Sequence, residues 1–164
     1  MATEKLKFKL ELYATMWDRP PHAEILVDGQ SHFNGDITGT EEKPDSISFE
    51  HELEEGQEYT LTIKRTGKVI ERERAQTVTN SKGKVCLDQL LHIKGIEIDE
   101  IETGSLVYEG VYHPYYHEPW ATEQREAGVN LPESYKNVTD MGHDGEWRFK
   151  FSSPFYLWLL ENLY

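Results

Sequence analysis

Lys5-Leu-Lys-Phe-Lys-Leu-Glu-Leu-Tyr13 decides the fold class. Leu6, Phe8, Leu10 and Leu12 alternate with charged residues, so one face of the segment is apolar and the other is wet. A period of two belongs to a half-buried β-strand, because successive side chains leave a strand on opposite faces. The rhythm returns at Ala23, Ile25 and Val27, at Ile47 and Phe49, and at Tyr59, Leu61 and Ile63. It recurs again at Leu87, Gln89, Leu91 and Ile93, and at Trp147, Phe149 and Phe151. Short alternating strands divided by turn signals predict an all-β protein, an antiparallel β-sandwich of jelly-roll or Greek-key type.

The signals between these strands agree. Asp28-Gly29 predicts a hairpin between a strand from His22 and a return strand from about Gln30 to Ile37. Glu54-Glu55-Gly56-Gln57 predicts a second hairpin, joining Ser46–Leu53 to Glu58–Arg65. A long strand over Val85–Asp99 is expected to break near Gly95, where a bulge re-aims it. Ser105–Tyr112 adds a last strand to a sandwich spanning residues 1–112. From 113 to 164 the composition changes to an irregular extension rich in aromatics and proline, a final strand and a short C-terminal helix, packed as part of the same unit. Ser152-Ser153-Pro154 announces that helix, with a serine cap and proline at its first position. Phe155 to Tyr164 is apolar nearly all round, so the helix is expected to be buried, with Phe155, Trp158 and Leu159 at an interface.

The chain has 164 residues, enough for one good core. Lys and Arg number 17 against 30 Asp and Glu, a formal charge of −13, which argues against a nucleic-acid partner. No apolar run approaches the ~20 residues that span a bilayer, so membrane insertion is not expected. The first residues lack a signal-peptide pattern, and the single cysteine, Cys86, excludes an internal disulfide and reads as inert filler of a strand. Synthesis in the cytoplasm is the expectation.

No nucleophile elbow, zinc-protease helix, Walker loop or dinucleotide fingerprint is present, so no enzyme is predicted and no catalytic residue named. His113 and His117 are four apart, but Pro114 denies them the helix turn that would put both on one metal. Asp18, Asp28, Asp36, Asp88, Asp99, Asp140 and Asp144 fall at predicted loops or strand ends, as calcium ligands do and as turn-forming aspartates also do. Trp17, Tyr112, Tyr115, Tyr116 and Trp120 fall in loops, where rings either stack on sugars and anchor partners or fold back over a sheet edge. Of these, Trp17, Tyr115, Tyr116 and Trp120, with Arg19, Lys64 and Arg65 as hydrogen-bond donors, are the candidate glycan- or partner-binding residues.

The strand order resembles that of calcium-dependent xylan-binding carbohydrate modules. Phe8–Ala14, Ile25-Leu-Val-Asp-Gly29, Leu53–Ile63 and Asp88-Gln-Leu-Leu-His-Ile-Lys-Gly-Ile-Glu-Ile-Asp99 carry the likeness. It implies a sandwich that binds polysaccharide with calcium as cofactor, Asp88 being the one ligand that carries over. Where such modules place Asn-Asp in the calcium loop, this chain has Lys64-Arg65-Thr66-Gly67-Lys68.

The whole chain also resembles small proteins of tailed bacteriophages that infect marine bacteria, cyanobacteria especially. Trp17-Asp-Arg-Pro-Pro-His22, Ile63-Lys-Arg-Thr-Gly-Lys68, Asp88-Gln-Leu-Leu, Glu118-Pro-Trp-Ala-Thr-Glu-Gln124 and Gly142-His-Asp-Gly-Glu-Trp-Arg-Phe-Lys-Phe-Ser-Ser-Pro-Phe155 carry that likeness. It implies a non-enzymatic virion component, such as a capsid-decorating, neck or tail subunit. Such a subunit would be made in the host cytoplasm and act through other virion proteins, as a homo-oligomer. The alternative is a glycan-binding module that helps attachment to a host-surface polysaccharide.

Overall fold

Alternation in the first strand becomes a sheet face. The computed structural model describes residues 2–15, 20–67, 78–79, 85–87, 89–102, 107, 109–116, 118 and 120–163. Trp17, Asp18, Arg19, Asp88 and His117, all singled out above, lie outside the described residues, as does the Cys86 side chain.

The strands are β1 (Thr3–Thr15), β2 (His22–Val27), β3 (Gln30–Asp36), β4 (Asp45–Glu54), β5 (Glu58–Thr66), β6 (Val78–Thr79), β7 (Val85–Leu87), β8 (Leu90–Ile98), β9 (Ile101–Glu102), β10 (Val111–Pro114), β11 (Tyr135–Lys136), β12 (Asp140–Met141) and β13 (Gly145–Ser152). Two helices, α1 (Trp120–Glu126) and α2 (Phe155–Leu163), flank the last three strands. One sheet runs β12-β8-β1-β4 with β9 against β8, and the other runs β11-β10-β13-β5-β2-β3. All these pairings are antiparallel. The architecture is therefore the predicted antiparallel sandwich, with β6 and β7 as a separate small ladder.

Leu6, Phe8, Leu10 and Leu12 of β1 face Ala23, Ile25 and Val27 of β2, Leu61 and Ile63 of β5, and Trp147, Phe149 and Phe151 of β13 in one buried cluster. Each large apolar side chain taken fully out of water stabilises the sandwich by about 1.5–3 kcal/mol before conformational entropy is charged against it. In β8 the buried positions change parity, from Leu91 and Ile93 to Ile96 and Ile98. A register shift explains this: Glu11 pairs with Gly95 and Leu12 with Ile93, so Lys94 is the extra residue of a bulge. The break expected near Gly95 is real.

Two expectations are corrected. The chain from β4 to β5 is not a hairpin: β4 pairs with β1 in one sheet, and β5 pairs with β2 and β13 in the other. The Gly56 turn carries the chain over the sandwich edge, and its backbone bonds go to the segment before α2, Gly56 N–H to Ser153 O at 2.8 Å and Ser153 N–H to Gln57 O at 3.0 Å. Of the strand expected over Ser105–Tyr112, Ser105, Leu106 and Tyr108 lie outside the described residues, Val107 and Glu109 are not in a strand, and Val111 and Tyr112 begin β10, which runs on to Pro114.

The C-terminal helix forms as expected, but its cap comes from elsewhere. Glu4 at the start of β1 accepts the Phe155 N–H at 2.9 Å and the Ser153 hydroxyl, so a carboxylate sits at the positive end of α2. Nor is the helix buried all round. Phe155 and Leu159 are buried and Trp158 packs beside them, whereas Tyr156, Leu157 and Leu160 are 49%, 58% and 59% exposed.

Where the two sheets approach at their β3 and β4 edges, His32 and His51 share a hydrogen bond of 2.9 Å, and His32 stacks on Phe49. Burial pushes both imidazoles below their ordinary value, and for His32 the neighbouring His51 adds to it. An unfolded imidazole, near pH 6.5, then binds protons more readily than the folded one, so the stabilisation is complete above that pH and is lost as the pH falls. His22 has the opposite sign, because its bond to Asp36 raises its pKa, but it is a surface group. The urea midpoint is expected to fall on acidification below pH ~6.5, and less so in His51→Gln. An equal fall in that variant would refute the assignment.

Candidate functional site

The site is built where three strand ends meet. The end of β5 pairs with the start of β13, Arg65 opposite Gly145 and Lys64 opposite Glu146. The end of β10 pairs with the same residues from the other side, Pro114 opposite Gly145 and His113 opposite Glu146. Gly145 permits this approach, since a Cβ there would lie 2.3 Å from the His113 carbonyl oxygen. A cleft of about 320 Å³ opens above, lined by Lys64, Thr66, Tyr115, Asp144 and Glu146 among others.

Strand parity sorts the two basic candidates. Lys64 is on the outer face and exposed. Arg65, next in the chain, points inward with Leu61 and Ile63 and is 0% exposed. Its guanidinium donates to Asp144 Oδ1 and to the Gln89 carbonyl, both at 2.7 Å. The residue read as a donor to ligand hydroxyls is therefore the buried strut beneath the cleft, tying β5 to the segments leading into β8 and β13.

The aromatic loop splits between its two readings. Tyr116 donates its hydroxyl to the Pro132 carbonyl at 2.6 Å, and its ring lies 5.0 Å from His143 and 6.2 Å from Trp120. Trp120, at the start of α1, lies 5.3 Å from His143. Tyr112 holds the same segment from the core side, accepting the His143 N–H at 3.0 Å and donating to the His143 carbonyl. Burial raises the Tyr112 and Tyr116 phenols well above their ordinary value, keeping both neutral donors at any physiological pH. Tyr116 and Trp120 are thus partly committed to packing, while Tyr115 is 61% exposed. Phe155, Trp158 and Leu159 pack against this chain's own core at a different place, joined to β13 through the Phe149–Trp158 contact.

The loop aspartates are occupied one at a time. Asp28 accepts the Thr60 N–H, Asp99 the Lys7 N–H, Asp36 bonds His22, Asp140 bonds His92 and Asp144 bonds Arg65. Among the described residues no three His, Cys, Asp or Glu side chains converge as metal ligands. These side chains therefore form no calcium cradle among themselves.

One array missed by sequence reasoning has the connectivity of a hydrolytic triad. Thr15 Oγ1 lies 2.8 Å from His92 Nε2, and His92 Nδ1 lies 2.5 Å from Asp140 Oδ1. With the neutral ring donating Nδ1–H to the carboxylate, Nε2 accepts the threonine hydroxyl. Its parts come from β1, β8 and β12, too far apart in sequence to be seen as a group. The array pins the two-residue β12 to the sheet, where Asp140 pairs with His92.

Among the described residues, no helix is long and apolar enough to cross a membrane. No protein-family model matches the sequence, and no curated protein matches it. Two solved structures are similar to the chain. The selenomethionine form of the carbohydrate-binding module vCBM60, from work on two families of calcium-dependent carbohydrate-binding modules linked by circular permutation, has a TM-score of 0.47 and 7% identity, over 88% of this chain and 89% of that one. The same module in complex with galactobiose has a TM-score of 0.46 and 8% identity, over 87% of this chain and 96% of that one.

Proposed function

We propose that this chain is a non-catalytic binding protein whose cleft at the β5–β13–β10 junction takes a carbohydrate. Tyr115 carries the reading: a large ring, 61% exposed, at the rim of a cleft of about 320 Å³ whose walls also offer an ammonium and a carboxylate. Sugar rings offer an apolar face to stack on such a ring, and hydroxyls that accept from an ammonium and donate to a carboxylate. Lys64 and Glu146, opposite one another on the cleft wall, supply both. The Arg65–Asp144 pair below makes the floor rigid, and Tyr116 and Trp120 position the segment that presents Tyr115.

A glycan array probed with calcium and with chelator tests this. Tyr115→Ala is expected to weaken a retained glycan about tenfold, the scale of one stacking contact. Because the ring is 61% exposed, the unfolding midpoint should move far less than the affinity. An array blank under both conditions would end the proposal, and a calcium requirement would direct attention to Asp88.

A second reading rests on α2. Tyr156, Leu157 and Leu160 are exposed at spacings that share one helix face, an apolar strip suited to another protein. With the likeness to phage proteins, this favours a virion subunit, such as a decoration, neck or tail component. A blank array together with recovery in purified particles would select it, and the two roles are compatible in one protein.

A further inference from the structure

Along β13 the buried Trp147, Phe149 and Phe151 alternate with outward Glu146, Arg148 and Lys150. The register places Lys64, Thr62 and Thr60 of β5 beside these three in turn. On the other side, His113 and Val111 of β10 lie opposite Glu146 and Arg148, and Lys136 of β11 lies opposite Val111. The carbohydrate cleft occupies one end of this face. At the other end a second cleft, of about 480 Å³, is lined by His113, Arg148, Lys150, Trp158, Asn162 and Glu109 among others. From Gly145 in the first cleft to Lys150 in the second is five strand steps, about 17 Å. An aromatic ring, Tyr115 or Trp158, lines each end.

The charges of this face run against those of the chain. Carboxylates outnumber cations 30 to 17 in the sequence. Here Lys64, Lys136 and Lys150 make no ion pair among the described residues, while Arg148 holds Glu146 at 2.9 Å. Glu109 lines the second cleft and Glu58 lies at the far end of β5. His113 is held below its ordinary value by burial, and then by Arg148 and Lys150, with Glu146 opposing. Arg148 and Lys150 both line the second cleft, and the imidazole does not add a third charge at neutral pH.

We infer that the outer face of β5, β13 and β10 is a track for a linear anionic polysaccharide, bearing carboxylate or sulfate groups, that runs from Tyr115 to Trp158. The inference rests on the carbohydrate reading of the first cleft and extends it. Lys64 and Lys150 meet the acidic groups, while Thr60, Thr62, Asn162 and the carboxylates Glu109 and Glu146 bond hydroxyls. A nucleic acid fits worse: a phosphate backbone carries a charge every few ångströms and needs an unbroken cationic stripe, which Glu109 and Glu146 interrupt.

The test is binding of the full chain to polyuronate, to a sulfated galactan, to neutral xylan and galactan, and to single-stranded DNA, at low and high salt. At least one acidic glycan is expected to bind about tenfold more tightly than the neutral ones at low salt, with the advantage lost at high salt. The polyuronate and sulfated arms tell which acidic group is read. Lys150→Glu is expected to remove the preference with binding to neutral glycans unchanged, and Lys150→Ala to reduce it. Lys150 is exposed on a strand, and circular dichroism checks that both variants fold. Equal binding of neutral and acidic glycans, indifferent to Lys150, would overturn the track and leave the carbohydrate cleft standing. Binding of DNA as tight as that of the acidic glycan would overturn it as well. No binding to any glycan would overturn both.

Discussion

Asp144→Ala is expected to lower the free energy of unfolding by about 3–5 kcal/mol, the cost of removing one partner from a buried charge pair. Arg65 is wholly buried, and Asp144 meets its guanidinium at 2.7 Å. In the variant the guanidinium keeps the Gln89 carbonyl but loses the carboxylate, and the pKa of arginine prevents it from shedding its charge. A urea titration reads the loss as a lower midpoint at unchanged slope. Arg65→Met should cost less than Asp144→Ala, because the carboxylate left behind is nearer solvent than the guanidinium. Replacing both by apolar residues should be milder than the alanine variant alone, since a paired buried charge is often no better than good apolar packing. If Asp144→Ala unfolds at the wild-type midpoint, the pair is not a strut, and the rigid floor of the proposed carbohydrate cleft goes with it.

The same residue shows what could be read from the sequence and what could not. The sandwich was legible because alternation is a local property: β1, β2, β5 and β13 bury the residues their own spacing marks. The bulge in β8 was legible too, since the apolar positions change parity across Gly95. Partners in space were not. A short turn with glycine between two alternating strands reads alike whether the chain folds back in one sheet or crosses to the other, and only the ladders of β4 and β5 decide. Lys64 and Arg65 looked alike as a basic turn, although the strand expected over Glu58–Arg65 already gave Arg65 the inward parity of Leu61 and Ile63. Its acceptors, Asp144 and the Gln89 carbonyl, are 79 and 24 residues away, so no spacing rule announces them. Helix α2 was misjudged for a related reason. An apolar composition shows that a face can be buried, but which side meets the core depends on where Phe149 and Phe151 already stand.

Gly110→Ala should be among the most damaging single-methyl additions in the protein, costing about 3 kcal/mol at the upper end of ordinary overpacking. A Cβ at that position would lie 2.2 Å from two ring carbons of Trp147 and 2.4 Å from its Nε1. The indole cannot retreat. It is 0% exposed, stacked parallel to Phe149 at 6.0 Å, and held on β13 opposite Ile63 and Tyr112. The cause is therefore volume, with no claim on backbone conformation. That makes a double-mutant cycle decisive. Trp147→Phe removes the part of the ring nearest Gly110, and with it a buried Nε1–H that has no acceptor among the described residues. Its own cost is the cavity, offset in part by the lost polar group, about 1–3 kcal/mol. If the methyl occupies the vacated space, the double variant should be more stable than the sum of the two losses predicts by at least about 1 kcal/mol, a coupling expected only for residues in contact. Additive losses would show that Gly110 is required for some other reason, such as the turn that leads into β10. Because β10 presents Tyr115 at its end, the cycle also asks whether the core under β13 sets the geometry of the proposed carbohydrate cleft. Glycan affinity should recover with stability in the double variant, and affinity that stays low while stability returns would separate the two.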